Sequence, residues 1–216
     1  MKGTALRREK GFTLIELLIV VVILGFLSAM AGPSISGYID KRKIINAAEA
    51  VYSQLQFARS QSISRSAEVH VKFDYADDSD KSTWLMSVST HEDCDLDEAS
   101  PDADYTDDCT LVVSDGDADE DSGDGTVDVD DLVYHITSGA DFNGVVIDAN
   151  NTGTGGAPNE ITFNPTRGTA ENESIFLWYD RGGGESYLMR VTVGMIGRVR
   201  ICTPDSTQAV PGYSPC

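Results

Sequence analysis

The strongest constraint on this chain is the run from Phe12 to Ala31, FTLIELLIVVVILGFLSAMA, in which Glu16 is the only charge. As a helix rising 1.5 Å per residue, the run is long enough to cross the ~30 Å hydrocarbon core of a bilayer. The residues before it, MKGTALRREKG, hold Lys2, Arg7, Arg8 and Lys10. By the positive-inside rule this leader stays in the cytoplasm and the remainder of the chain crosses. An ordinary secretory signal would be cut after the apolar run, near Ser28 to Ala31. Glu16 argues against that, because a carboxylate within a membrane segment costs ~2.5–3.5 kcal/mol even on the lenient insertion scale and normally has a partner. A cut between Gly11 and Phe12 makes Glu16 the fifth residue of the mature chain. The new α-amine of a neighbouring copy is then its natural counter-charge.

The sequence Lys10-Gly11 followed by Phe12-Thr13-Leu14-Ile15-Glu16-Leu17 closely resembles the class III signal of type IV pilins and type II secretion pseudopilins. The resemblance implies that a prepilin peptidase cuts after Gly11 and methylates the amine of Phe12. It also implies that Glu16 sets register as subunits leave the membrane for a helical filament. Pro33, just past the run, is where the family kinks or melts the helix.

Charge divides the rest. The chain has 16 Lys and Arg against 35 Asp and Glu, a formal net charge of −19, which becomes −22 once a leader with four basic residues and one acidic residue is removed. Between Asp74 and Asp131 lie 22 acidic residues and one lysine, Lys81, so the rest of the chain is close to neutral. Such a block repels nucleic acid and anionic membrane unless cations neutralise it. What remains is enough for one modest extracytoplasmic domain.

The four cysteines, Cys94, Cys109, Cys202 and Cys216, all follow the apolar run, on the side where disulfides persist. Sequence order suggests two local loops, Cys94 with Cys109 and Cys202 with Cys216, although four cysteines permit three pairings. Neither pair has zinc-ligand spacing.

Past Pro33, the positions Ile44, Ala48, Val51, Leu55 and Ala58 step by three and four, the mark of one buried helix face running to about Ser64. Alternating or β-branched runs follow at 68–75, 84–89, 111–113, 145–147, 161–163, 174–179, 187–193 and 198–202. Gly182-Gly183-Gly184 between two of them reads as a hairpin connection. The expected fold is α+β: a long N-terminal transmembrane and amphipathic helix followed by a sandwich-like antiparallel β domain. The expected organisation is a leader at 1–11, a membrane or filament-core helix at 12–32, an amphipathic helix at 33–66 and a β-rich domain at 67–216 with an acidic insertion at about 89–143.

The helix segment from Ser53 to Arg65, the strand Val69-His70-Val71, Phe163-Asn164-Pro165-Thr166-Arg167-Gly168 and the ending Gly197-Arg198-Val199-Arg200 are similar to the GspH/FimT family. The resemblance covers the leader, the long helix and the last third. It implies a minor pseudopilin of type II secretion or a minor pilin of a type IV pilus, acting in filament initiation or at the tip. It further implies an inner-membrane, single-pass precursor whose periplasmic domain later joins the filament. Its partners are other pilins or pseudopilins, the prepilin peptidase and the inner-membrane assembly platform. No enzyme activity and no required cofactor are implied, and the sequence shows no nucleophile–base pattern, phosphate-binding loop or histidine cluster.

The alternative is DNA uptake. Gly197-Arg198-Val199-Arg200 resembles the GRxR motif through which some FimT-like minor pilins bind DNA. Arginines at i and i+2 of one strand point to the same side and can contact adjacent phosphates, with Arg190, Arg181 and Arg167 extending the strip. The competing structural reading makes Arg198 and Arg200 the solvated face of a strand whose Val199 and Ile201 face inward.

One further motif lies in the acidic stretch. With Gly125 at the turn of a twelve-residue calcium loop, Glu120, Ser122, Asp124, Thr126, Asp128 and Asp131 fall at positions one, three, five, seven, nine and twelve. The segment from Gly123 to Leu132 resembles the second half of a dockerin-type loop, departing from it in having Glu120 at position one. In this register Leu132, Val133 and Ile136 begin an exit helix.

Overall fold

The computed structural model describes residues 11–75, 84–92, 94, 96, 109–112, 132–147, 158–182, 185–204 and 210–216, with the side chains of 29–36, 75, 110, 112, 132–134 and 185 set aside. It divides into two compact units, Met1–Asp40 and Lys41–Cys216.

One helix, α1, runs Leu14–Arg65. It continues through Pro33, so the helix does not melt there, one of the two outcomes expected of a proline, which removes one backbone donor and crowds the carbonyl four residues earlier. The start of α1 is closed by Thr13 and Glu16. The Glu16 carboxylate accepts from the Thr13 backbone N–H at 2.9 Å and from the Thr13 hydroxyl at 2.8 Å, and the Glu16 N–H donates to that hydroxyl at 3.3 Å. This reciprocal cap satisfies backbone donors that a helix start otherwise leaves open.

In the second unit, every apolar position that the helical spacing marks is buried: Ile44, Ala48, Val51, Leu55 and Ala58 are fully enclosed, with Ala47 beside them. The small residues on this face admit close approach of strands. Among the described residues ten strands follow: β1 Val69–Tyr75, β2 Trp84–Ser89, β3 Thr110–Val112, β4 Leu132–Tyr134, β5 Ile136–Ser138, β6 Val145–Ile147, β7 Glu160–Phe163, β8 Glu173–Gly182, β9 Glu185–Val193 and β10 Val199–Cys202. They form a four-stranded sheet in the order β5-β2-β1-β7, a second in the order β10-β9-β8-β6, and a ribbon of β3 with β4. All the pairings are antiparallel. Alternation puts Val69, Val71, Phe73, Trp84, Met86, Val88, Ile161 and Phe163 of the first sheet into one core. Ile175, Leu177, Met189, Val191, Val193 and Val199 of the second sheet join them there, together with the helix face. The α+β reading therefore holds.

β8 and β9 make the hairpin expected at the triple glycine, with a register shift between Asp180 and Gly182 and a positive φ of 81° at Gly182. The expected exit helix is corrected: Leu132 and Val133 lie in β4 and Ile136 in β5, which pairs with β2. The run LVYHITS is rich in β-branched and aromatic residues, and each half finds a strand edge to complete, so its apolar spacing does not decide for a helix.

Both disulfides join the cysteines nearest in sequence, Cys94 to Cys109 and Cys202 to Cys216. The first is buried beside Leu96 and Leu85 as a small satellite core. The second ties the C-terminal loop to the end of β10. That loop is also anchored by buried Val210 and by the Tyr213 hydroxyl, which donates to Glu49 at 2.8 Å. Burial, followed by the bond to and the charge of Glu49, raises the Tyr213 hydroxyl to about 12.

Candidate assembly segment and arginine cleft

The first unit presents an unusual surface. The large apolar side chains from Phe12 to Leu27 are between 49% and 86% exposed. A single soluble molecule rarely carries a contiguous apolar patch of that size, so this helix face belongs against lipid or other protein. Phe12 and Glu16 lie at its head, with Gly11 before them, and the Thr13 cap gives the Glu16 carboxylate a partner within its own chain. Among the described residues no helix is long and apolar enough to cross a membrane; of the expected span at 12–32, side chains are described only as far as Ser28.

The second feature is a cleft of about 700 Å³ beside the edge strand β10, lined by Arg190, Thr192, Arg198, Arg200, Tyr52 and the loop Ser214–Cys216 among others. Its arginines are brought together by strand register. Arg200 stands opposite Thr192, and Cys202 opposite Arg190. Arg200, Thr192 and Arg190 therefore share one face, while Val191, Val193 and Val199 fill the core behind, and Arg198, just before β10, lines the same cleft. Arg198 and Arg200 are exposed, whereas Arg190 is half-buried with its guanidinium 5.6 Å from the centre of the Phe176 ring. Arg190, Arg198 and Arg200 thus converge, whereas Arg167 and Arg181 do not line the cleft. The wall supplied by the C-terminal loop is not visible in sequence, because it depends on where the Cys202–Cys216 bridge turns the chain back.

The turn leading into β10 is held from several sides. Arg59 on α1 donates from Nε to the Gly168 carbonyl and from Nη2 to the Ile196 carbonyl, both at 3.2 Å. Gly197 has a φ of 69°, and a Cβ there would overlap the Gly168 carbonyl oxygen. The helix thereby fixes the base of the arginine strand.

A polar cluster on the first sheet joins β1 to β7. His70 Nδ1 lies 2.6 Å from Glu160 and Lys72 Nζ 2.7 Å from the same carboxylate. Partial burial pushes Glu160 upward, but hydrogen bonds from Lys72, His70 and Thr162 and the charge of Lys72 outweigh it and hold the carboxyl below its ordinary value. These residues sit at matched register on neighbouring strands and act as cross-strand ties.

Glu120, Ser122, Asp124, Thr126, Asp128 and Asp131 lie outside the described residues. Among the described residues no group of three or more metal-binding side chains occurs.

The sequence profile of the type II transport protein GspH matches residues 47–197, from the buried helix face through both sheets to the turn before the arginine strand. The chain belongs to the GspH family of pseudopilins. The prokaryotic N-terminal methylation motif matches residues 6–32, across the leader junction and the exposed apolar helix. The chain is also similar to the type II secretion system core protein G of Dickeya chrysanthemi, 42% identical over 52 residues, which is 23% of this chain and 34% of that relative. The match thus spans about a third of the relative's length. No solved structure matches the chain. Membership of the GspH family makes it a type II secretion pseudopilin, and the methylation motif across the exposed helix is the mark of a membrane-anchored precursor.

Proposed function

We propose that this chain is a minor pseudopilin that starts assembly of a type II secretion pseudopilus or sits at its tip. It enters the inner membrane as a single-pass precursor with a periplasmic domain, is cut between Gly11 and Phe12 by the prepilin peptidase, and leaves the membrane through the assembly platform to join other pseudopilins. The observation that supports this reading is the capped, exposed apolar head of α1 on the same helix that forms the core of the folded domain. The test is expression of the full chain with a prepilin peptidase, followed by mass analysis of the N-terminus. The expected product begins at methylated Phe12, and Glu16→Ala is cleaved normally but fails to enter filaments. An N-terminus beyond the apolar run would overturn the reading.

DNA capture by Arg198, Arg200 and Arg190 is the second reading. It draws support from the convergence of these residues on one cleft, and the chain's net charge of −19 opposes it. Calcium binding at Glu120, Ser122, Asp124, Thr126, Asp128 and Asp131 is likewise proposed, on the strength of donor type and spacing alone.

A further inference from the structure

The chain has more than twice as many acidic as basic residues. Even so, among the described residues no hydrogen bond or ion pair engages the guanidinium of Arg190, Arg198 or Arg200, although the three line a single cleft. Two other arginines of the domain, by contrast, are engaged: Arg59 with two carbonyls and Arg65 with Gln61. The Arg190 Nε is buried without an acceptor, a state that folded proteins seldom leave uncorrected. The stem of Arg190 is already positioned by the Phe176 ring, so an incoming acceptor meets a donor whose freedom has been spent in folding.

We propose that this cleft receives carboxylate side chains from an acidic segment of a neighbouring protein subunit. The inference rests on the reading of the chain as part of an assembly. Arginine suits the task because its planar fork binds a carboxylate through two parallel hydrogen bonds. Arg198 just before β10 and Arg200 within it are separate guanidinium forks on the same cleft and take separate carboxylates, while Arg190 on β9 supplies a third donor. Charge decides between a short acidic segment and nucleic acid. Duplex DNA carries one charge per ~1.7 Å of axis, and strong binding neutralises some 6–10 phosphates. Three arginines on a chain of net charge −19 fall short of that, and a long polyanion must also lie along the rest of an acidic surface. A segment with two or three carboxylates fills the cleft without extending past it. The wall made by Ser214–Cys216 limits access from that side, which also favours a narrow ligand.

The test uses the full chain in detergent micelles, with fluorescent hexaglutamate and a fluorescent DNA duplex as probes at low and moderate salt. Arg198→Ala with Arg200→Ala is compared with Arg167→Ala, an exposed arginine outside the cleft. The expected result is hexaglutamate binding that weakens at least tenfold in the double variant, stays within twofold in Arg167→Ala, and exceeds DNA binding for the parent chain. Three results overturn the proposal: no hexaglutamate binding by the parent, equal losses in both variants, or DNA bound more tightly than hexaglutamate. The last restores the DNA reading. Cleavage after Gly11 is scored on the same samples. With a prepilin peptidase present, cleavage does not involve the cleft, so intact cleavage with no hexaglutamate binding by the parent chain removes this proposal alone, while absent cleavage removes the proposed role as a cleaved precursor that joins the filament.

Discussion

At the residue scale, two glycines separate conformational need from lack of room. Gly182 and Gly197 both have positive φ, but a Cβ at Gly182 meets open space whereas one at Gly197 overlaps the Gly168 carbonyl and crowds Arg59. Gly182→Ala is therefore expected to lose about 1–2 kcal/mol, the left-handed penalty alone. Gly197→Ala should lose more than about 3 kcal/mol, since two backbone segments must part and the Arg59 bonds go with them. Chemical denaturation of the two variants checks the order, and equal losses would show that the crossing at Gly168 yields cheaply. Glu160 gives a pH-dependent case. Its folded carboxyl titrates below the ordinary 4.5, so its contribution is present above that value and is lost as pH falls through the folded value. Glu160→Gln should lower the melting temperature at pH 7, and the gap should close in acid. A gap that stays constant with pH would mean that the ties to His70 and Lys72 carry no net charge effect. The sequence does show Thr13-Leu14-Ile15-Glu16 as a capping box once the helix start is placed at Leu14.

At the element scale, patterns of regular period were legible and those that depend on distant edges were not. The helix face and the eight strand-like runs follow from spacing and β-branching, and all reappear within a residue or two of their expected bounds except the run at 174–179, whose strand β8 continues three residues further, to Gly182. β4 and β5 did not, because a short apolar run after aspartates satisfies a helix start as well as a strand. What settles it is the free edges of β3 and β2, which sequence does not display. The arginine strip was legible as an i, i+2 pattern, while its conversion into a cleft depends on the Cys202–Cys216 closure. Cys202→Ser with Cys216→Ser should therefore act twice. Loss of a crosslink spanning 14 residues is expected to destabilise by about 3 kcal/mol on the chain-entropy account. The freed loop should also leave the arginine face open, raising the exchange rates of the β10 amides in hydrogen-exchange measurements. Val210 and the Tyr213–Glu49 bond remain as anchors. If β10 exchange is unchanged, they suffice to hold the wall without the bridge.

At the scale of the whole molecule, the balance of charge is the property that no element explains. Most of the acid lies in one stretch, much of it outside the described residues, and the remainder of the chain is close to neutral. Self-repulsion of this size opposes compaction, and any added salt relieves part of it by screening. A loop with six oxygen donors does something screening cannot: it holds one ion in a fixed geometry and couples that binding to folding. The two effects separate when calcium chloride is compared with sodium chloride at equal ionic strength, using the full chain in detergent. Calcium at 100 times its dissociation constant is expected to add about 2.7 kcal/mol of stability beyond the salt effect. Asp124→Asn with Asp128→Asn should abolish that increment while leaving the sodium chloride response in place. Magnesium should do less, because it demands tighter octahedral geometry and gives up its water reluctantly. If calcium and sodium act alike at matched ionic strength, the stretch is a diffuse counter-charge region. The acidic residues then act through the net field of the molecule, where they keep polyanions away from every surface, the arginine cleft included.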